Sequence, residues 1–144
     1  MNADPWAHLI SLQTIRQIHS DCIARFGGDA TKATKEGCVE RSLGAAWSAE
    51  LYSENMDAVQ GLCFAGCLLY YLIKNHCFVD GNKRVGWAAG MEVLRALELG
   101  VRATDDEVEE FCLAVVENDS SLVKNAVDVA VWLAPRLTAL QISN

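Results

Sequence analysis

The run from Val59 to Ile73 constrains the fold more than any other part of the chain. Val59, Leu62, Phe64, Leu68, Leu69, Tyr70, Leu72 and Ile73 cover nearly every face of a helix, so a helix formed here has no side to offer water. Such a helix belongs in the middle of a bundle, with other helices around it. A bilayer is the wrong home for it: the run is 15 residues long with Gln60 inside it, against roughly 20 needed for a span. With 2 prolines in 144 residues, little in the rest of the chain interrupts helices either.

The neighbouring segments read as amphipathic helices. From Leu12, the positions Ile15, Ile18, Cys22 and Phe26 recur every three or four residues, and Gly27-Gly28 provides a stop. Residues 29–37 are small and polar and read as a loop leading to a helix over 39–51 that carries Leu43 and Trp47 on one side. Asn55 and Asp57 are candidate caps for the apolar helix. After a break at 75–82, a helix over 83–99 is expected, with Gly100 as its stop. Thr104 and Glu107 have the spacing of a capping box and open a helix with Val108, Phe111, Cys112 and Val115 inward. A last helix is expected over 122–137, meeting Pro135 near its end. No strand alternation, repeat or linker is visible, and the reading is one all-α domain over residues 1–144.

Charge and cysteines limit the function. Nineteen acidic against 12 basic side chains leave a net charge of -7, which opposes a nucleic-acid backbone or an anionic membrane, so any phosphate site has to be local. The start, Met1 to Pro5, lacks a basic segment followed by an apolar one, and no secretory signal is read there. Six cysteines (Cys22, Cys38, Cys63, Cys67, Cys77 and Cys112) include no C-x-x-C pair, so they read as small apolar packing residues with reduced thiols.

The chemistry is concentrated in His76-Cys77-Phe78-Val79-Asp80-Gly81-Asn82-Lys83-Arg84, at the expected start of a helix. Free backbone N–H groups and the helix dipole attract an anion there, and a glycine admits phosphate oxygens close to the backbone. His76 can accept a proton near neutral pH, and Asp80 can hold a hard cation such as Mg²⁺ that bridges phosphates. Lys83 and Arg84 can neutralise phosphoryl charge, while Phe78 turns inward as an anchor for the loop. Taken singly, Asp80-Gly81-Asn82 is an ordinary turn and His76 an ordinary polar side chain; together they make up the parts of phosphoryl or nucleotidyl transfer. His19 reads as an exposed or core-edge histidine outside the site, and Glu40 and Arg41 as a solvated pair. Trp6, Trp47, Trp87 and Trp132 read as buried area, with Trp87 near enough to wall a pocket.

The segment resembles the signature H-x-F-x-D-G-N-K-R of the Doc (death-on-curing) branch of the Fic/Doc family. The likeness extends to Ile18-His19, to Arg25-Phe26-Gly27-Gly28 and to Ala65 through Asn75, and covers about residues 10 to 137. It implies the Fic/Doc-like helical bundle with the active-site loop between two central helices. It also implies that His76 is the general base acting on a target hydroxyl, that Asp80 is the Mg²⁺ ligand, and that Gly81, Asn82, Lys83 and Arg84 bind nucleotide.

Two departures from the Fic branch matter: Lys83 stands where that branch has glycine, and Trp87 where it has a second arginine. Cys77 stands where proline is common. The resemblance therefore implies a toxin of a type II toxin–antitoxin pair, a cytoplasmic ATP- and Mg²⁺-dependent kinase that transfers the γ-phosphate to a protein such as elongation factor Tu and so blocks translation. The alternatives are AMP transfer of the Fic type and a catalytically silent binding module. The family's inhibitory helix needs Ser or Thr four residues before a Glu followed by Gly or Asn. Glu36-Gly37 has Lys32 at that place and Glu117-Asn118 has Leu113, so restraint is expected in trans, from a cognate antitoxin folding onto the toxin.

Overall fold

The computed structural model describes residues 4–28, 35–53, 59–117 and 121–140. In chain order these form α1 (Leu12–Phe26), α2 (Cys38–Tyr52), α3 (Leu62–Lys74), α4 (Asn82–Ala96), β1 (Leu99–Val101), α5 (Asp105–Glu117), α6 (Ala126–Leu133), a 3-10 turn (Ala134–Arg136) and β2 (Leu137–Ala139). The helical bundle forms as expected, with α3 as its axis. Every residue of α3 from Leu62 to Leu69 is buried, and Leu72 and Ile73 are buried beyond them. Helices α2, α4, α5 and α6 all pack against α3, and α1 packs on α4. Each large side chain taken from water along this axis contributes about 1.5–3 kcal/mol before the entropy of ordering it is subtracted.

The α3–α4 pair places the functional segment. A Cβ on Gly86 would lie 2.7 Å from Ile73 Cγ1 and 3.0 Å from the Leu69 carbonyl oxygen, and one on Gly90 would lie 3.3 Å from the Leu69 side chain. Two bare backbone positions one turn apart thus let α4 lie directly on α3, and the chain between them must reverse in a short turn. No described helix is long and apolar enough to cross a membrane.

Several boundaries differ from the sequence expectation. The candidate caps Asn55 and Asp57 lie outside the described residues. Helix α3 begins at Leu62 rather than Val59, after Gly61 in the left-handed region, and its first turn is capped from another helix. The Glu50 carboxylate, buried on α2, accepts hydrogen bonds from the N–H groups of Gly61 (3.2 Å) and Phe64 (2.9 Å). Helix α4 ends at Ala96, and Glu98 with φ 63°, not Gly100, takes the left-handed position.

The chain does hold strands: β1 and β2 pair antiparallel, with Leu99 opposite Ala139 and Val101 opposite Leu137. Three residues a side are too few to show an alternation. The last helix is shorter than 122–137 because Asn125 starts it. The Asn125 side chain accepts from Val127 N–H and Asp128 N–H, and Asp128 returns the bond to Asn125 N–H. The capping box at α5 forms as read, with Thr104 and Glu107 each bonding the other's N–H (3.2 and 3.1 Å).

Replacing Glu50 by Ala strands two buried N–H groups and removes a negative charge from the positive end of α3. Glu50→Ala should lower the unfolding free energy by about 1–3 kcal/mol in urea denaturation; an unchanged midpoint would mean that water replaces the carboxylate at no cost.

Candidate active site

His76 follows the last turn of α3 with φ 47°, and its N–H reaches the Ile73 carbonyl at 3.3 Å. A side chain with a Cβ is disfavoured there by roughly 1–2 kcal/mol, so the neighbours must hold it. They are tied to the start of α2. Lys35 N–H donates to the Cys77 carbonyl (2.9 Å), the Lys35 ammonium to the Asn75 carbonyl (3.0 Å) and the Asn75 amide to Ser42 Oγ (3.1 Å). Ser42, fully buried, donates its own hydroxyl to the Cys38 carbonyl at 2.9 Å. Asn75 and Cys77 are therefore both fixed, and the imidazole between them stays exposed.

Cys38 and Cys77 are joined in a disulfide with their Cα atoms 5.4 Å apart, which corrects the reading of all six cysteines as reduced packing thiols. Their separation of 39 residues gives no spacing signal; only the docking of α2 against the end of α3 brings them together. Cys22, Cys63, Cys67 and Cys112 are free. Burial pushes the Cys112 thiol up to about 11 against an opposing pull from the Lys83 ammonium.

Beyond Cys77 the loop turns inward. Phe78 is 3% exposed and its ring stacks on His19 with 4.1 Å between centroids and 17° between planes. His19 is itself 7% exposed with no hydrogen-bond partner at Nε2. It sits at the edge of the core and touches the functional loop, a contact that a single histidine on an amphipathic helix does not announce. Asn82 closes the turn: its side-chain oxygen accepts from Phe78 N–H (3.0 Å) and its amide donates to the Phe78 carbonyl (2.7 Å). The Asn82 side chain is thereby committed to the loop, and what it can offer a phosphate is its backbone N–H.

Gly81 precedes α4 with φ 81° and, as a glycine, brings no capping side chain of its own. A Cβ on Gly81 would meet only Ile23 Cδ1 at 3.7 Å among the described residues, so the backbone there is little crowded. Asp80, Lys83 and Arg84 are exposed around this helix start, with Arg84 over the Phe26 ring at 4.1 Å. The structure thus brings His76, Asp80, Gly81, Lys83 and Arg84 to the surface of one loop and helix start, with Phe78 and Asn82 beneath them.

No group of three or more His, Cys, Asp or Glu that could hold a metal occurs among the described residues. The donor set fits Mg²⁺ all the same, since that ion is commonly held by one or two carboxylates together with phosphate oxygens and water. Asp80 is the carboxylate in place, at the start of α4.

Trp87 meets Trp132 edge-on at 6.3 Å. Glu40 and Arg41 are exposed on α2. A cleft of about 660 Å³ lies elsewhere, bordered by His8, Trp47, Glu50, Gly61 and Leu97; it shares no residue with the loop and lacks its cations.

The sequence model described as "Fic/DOC family" matches residues 9–94. The protein Toxin Doc of Mycolicibacterium smegmatis is 34% identical over 76 residues, which are 51% of this chain and 58% of that protein. The likeness thus spans little more than half of the length of that relative.

The disulfide closes a long loop, which by chain entropy corresponds to about 4 kcal/mol of stability. Cys38→Ser should lower the urea unfolding free energy by about 2–4 kcal/mol relative to oxidised protein. Wild type in excess dithiothreitol should unfold like the variant, and three coincident denaturation curves would remove the bond from the forces that hold the loop.

Proposed function

The chain belongs to the Fic/Doc family, and on that premise we propose that it is a Doc-like toxin of a type II toxin–antitoxin pair, a kinase that moves the γ-phosphate of ATP to a hydroxyl of a target protein. The observation that carries this reading is the pairing of an exposed His76, held in a left-handed conformation, with the glycine-led start of α4 a few residues on. A backbone outlier held by so many neighbours points to a positioned side chain. A helix start that opens on glycine and carries two exposed cations points to phosphate.

Each residue then has a distinct task. His76 takes the proton of the target hydroxyl as it attacks, work that contributes about 10²–10⁴-fold when the base is positioned. Gly81 leaves room for phosphate oxygens against the N–H groups of Asn82, Lys83 and Arg84. The Lys83 and Arg84 side chains neutralise charge that builds on the phosphoryl group. Asp80 would hold Mg²⁺, which would supply further neutralisation of phosphate charge. Phe78, stacked on His19, and Asn82 keep the loop from yielding as the reaction proceeds.

Lys83 favours γ-phosphate transfer over AMP transfer. It is exposed beside the cradle, where it occupies space that the glycine of the adenylylating branch leaves to outer phosphates. The proposed target is elongation factor Tu, the proposed consequence a block of translation, and the proposed restraint a cognate antitoxin acting in trans in the cytoplasm.

Purified protein with Mg²⁺ and γ-labelled ATP should label a band of the size of elongation factor Tu in bacterial lysate, and α-labelled ATP should not. His76→Ala should reduce the labelling by about 10²–10⁴-fold with an unchanged melting temperature. His76-dependent label from α-labelled ATP would replace phosphorylation by adenylylation. Full labelling by the His76 variant would end the mechanism.

A further inference from the structure

Phe26 is the last residue of α1 and is 55% exposed, so its ring gains little from the core. What it touches is cationic. The Arg84 guanidinium carbon lies 4.1 Å from the ring centroid and that of Arg25 lies 5.5 Å away on the same ring. The next turn of chain continues along the loop. A Cβ on Gly28, where φ is 118°, would stand 2.8 Å from Ile23 Cδ1, 3.1 Å from Asp80 Cβ and 3.3 Å from Asp80 Oδ2. Ile23 Cδ1 also lies nearest to the position a Cβ on Gly81 would take, at 3.7 Å. The end of α1 therefore lies against Asp80, Gly81 and Arg84 at once, three residues that carry the proposed chemistry.

We propose that Phe26 is a positioning residue for Arg84, and that the α1 end from Ile23 to Gly28 forms a second wall of the nucleotide-phosphate site. The proposal rests on the reading of that site given above. A guanidinium lying on an aromatic face keeps its N–H donors in its own plane, directed away from the ring, so stacking and phosphate binding do not compete. An exposed arginine otherwise loses rotamer freedom when it grips a phosphate, and a ring that already holds it reduces that loss. A lysine has no flat face to lay on the ring, and the neighbouring Lys83 makes no such contact among the described residues. The two adjacent cations thus differ in kind: Arg84 is held in advance, Lys83 is not.

The exposure of Phe26 makes the test clean, because its replacement removes little buried area. ATP binding with Mg²⁺ is measured by calorimetry on wild type, Phe26→Leu, Phe26→Tyr and Arg84→Ala, and on the double variant Phe26→Leu/Arg84→Ala. Phe26→Leu keeps apolar bulk without the aromatic face and should weaken binding by about threefold to tenfold. Phe26→Tyr should bind like wild type, and Phe26→Leu should have no further effect once Arg84 is gone. In the transfer assay kcat/KM for ATP should fall by at least the same factor, since Arg84 also meets charge that builds during transfer, and Phe26→Tyr should restore it.

A readout that needs no nucleotide accompanies these: the Arg84 side-chain protons should be shifted upfield by the ring in wild type and return to ordinary values in Phe26→Leu. Unshifted protons in wild type, equal ATP affinity in Phe26→Leu, or an equal loss from Phe26→Leu without Arg84 would each overturn the proposal and leave the phosphate site standing. Wild type that binds no ATP at all would overturn both the site and its second wall.

Discussion

Helix α3 has no polar face, and the need to cover it on all sides sets the positions of α2, α4, α5 and α6. Helix α4 lies directly against it, because Gly86 and Gly90 remove the side chains that would hold it off Leu69 and Ile73. With the two helices in that register, the chain has seven residues, 75–81, in which to leave the C-terminal end of one and enter the N-terminal end of the other. The loop is thus pinned at both ends by the core before any of its own interactions form. It also lies where helix ends expose unpaired backbone groups, N–H at the start of α4 among them.

Holding such a loop rigid takes apolar and covalent contacts, since exposed polar contacts contribute little. Cys77 and Phe78 supply those contacts from adjacent positions, one bonded to Cys38 on α2 and the other stacked on His19 on α1. Asn82 adds two hydrogen bonds across the turn. The unfavourable backbone at His76 is maintained because both flanking residues are fixed independently of it. Inward residues thus secure the segment, leaving His76, Asp80, Lys83 and Arg84 exposed to solvent.

The helices were legible in the sequence wherever an apolar stripe of one period ran for several turns, as in α1, or where a cap announced a start, as at Thr104. Boundaries set by tertiary contact were not. Glu50 caps α3 from another helix, 11 residues before Gly61, and no local pattern marks that role. The three-residue strands β1 and β2 exist because Glu98 turns the chain back and the segment after α6 arrives beside it, again a long-range event. In the site, the cluster from His76 to Arg84 could be read directly because its residues are contiguous. The contacts of Cys38, His19 and Phe26 with it could not, since these residues reach the loop from α1 and α2, and the likeness at Ile18-His19 and Arg25-Phe26 says nothing of what they touch.

The charge of the molecule and the charge of the site have opposite signs, and distance decides which one a ligand feels. At physiological salt the field of exposed charges falls off over about 8 Å. A compact anion seated at Gly81 lies within that distance of the α4 dipole, Lys83 and Arg84, and the net charge of -7 spread over the surface is largely screened from it. A polyanion extends past this range and meets the acidic surface along its length. The same arrangement therefore suits a compact anion better than a polyanion. For the nucleotide proposed above, long-range attraction supplies little, so affinity would come from donors already in place, and the orientation of Arg84 on its ring would matter more here than on a basic protein.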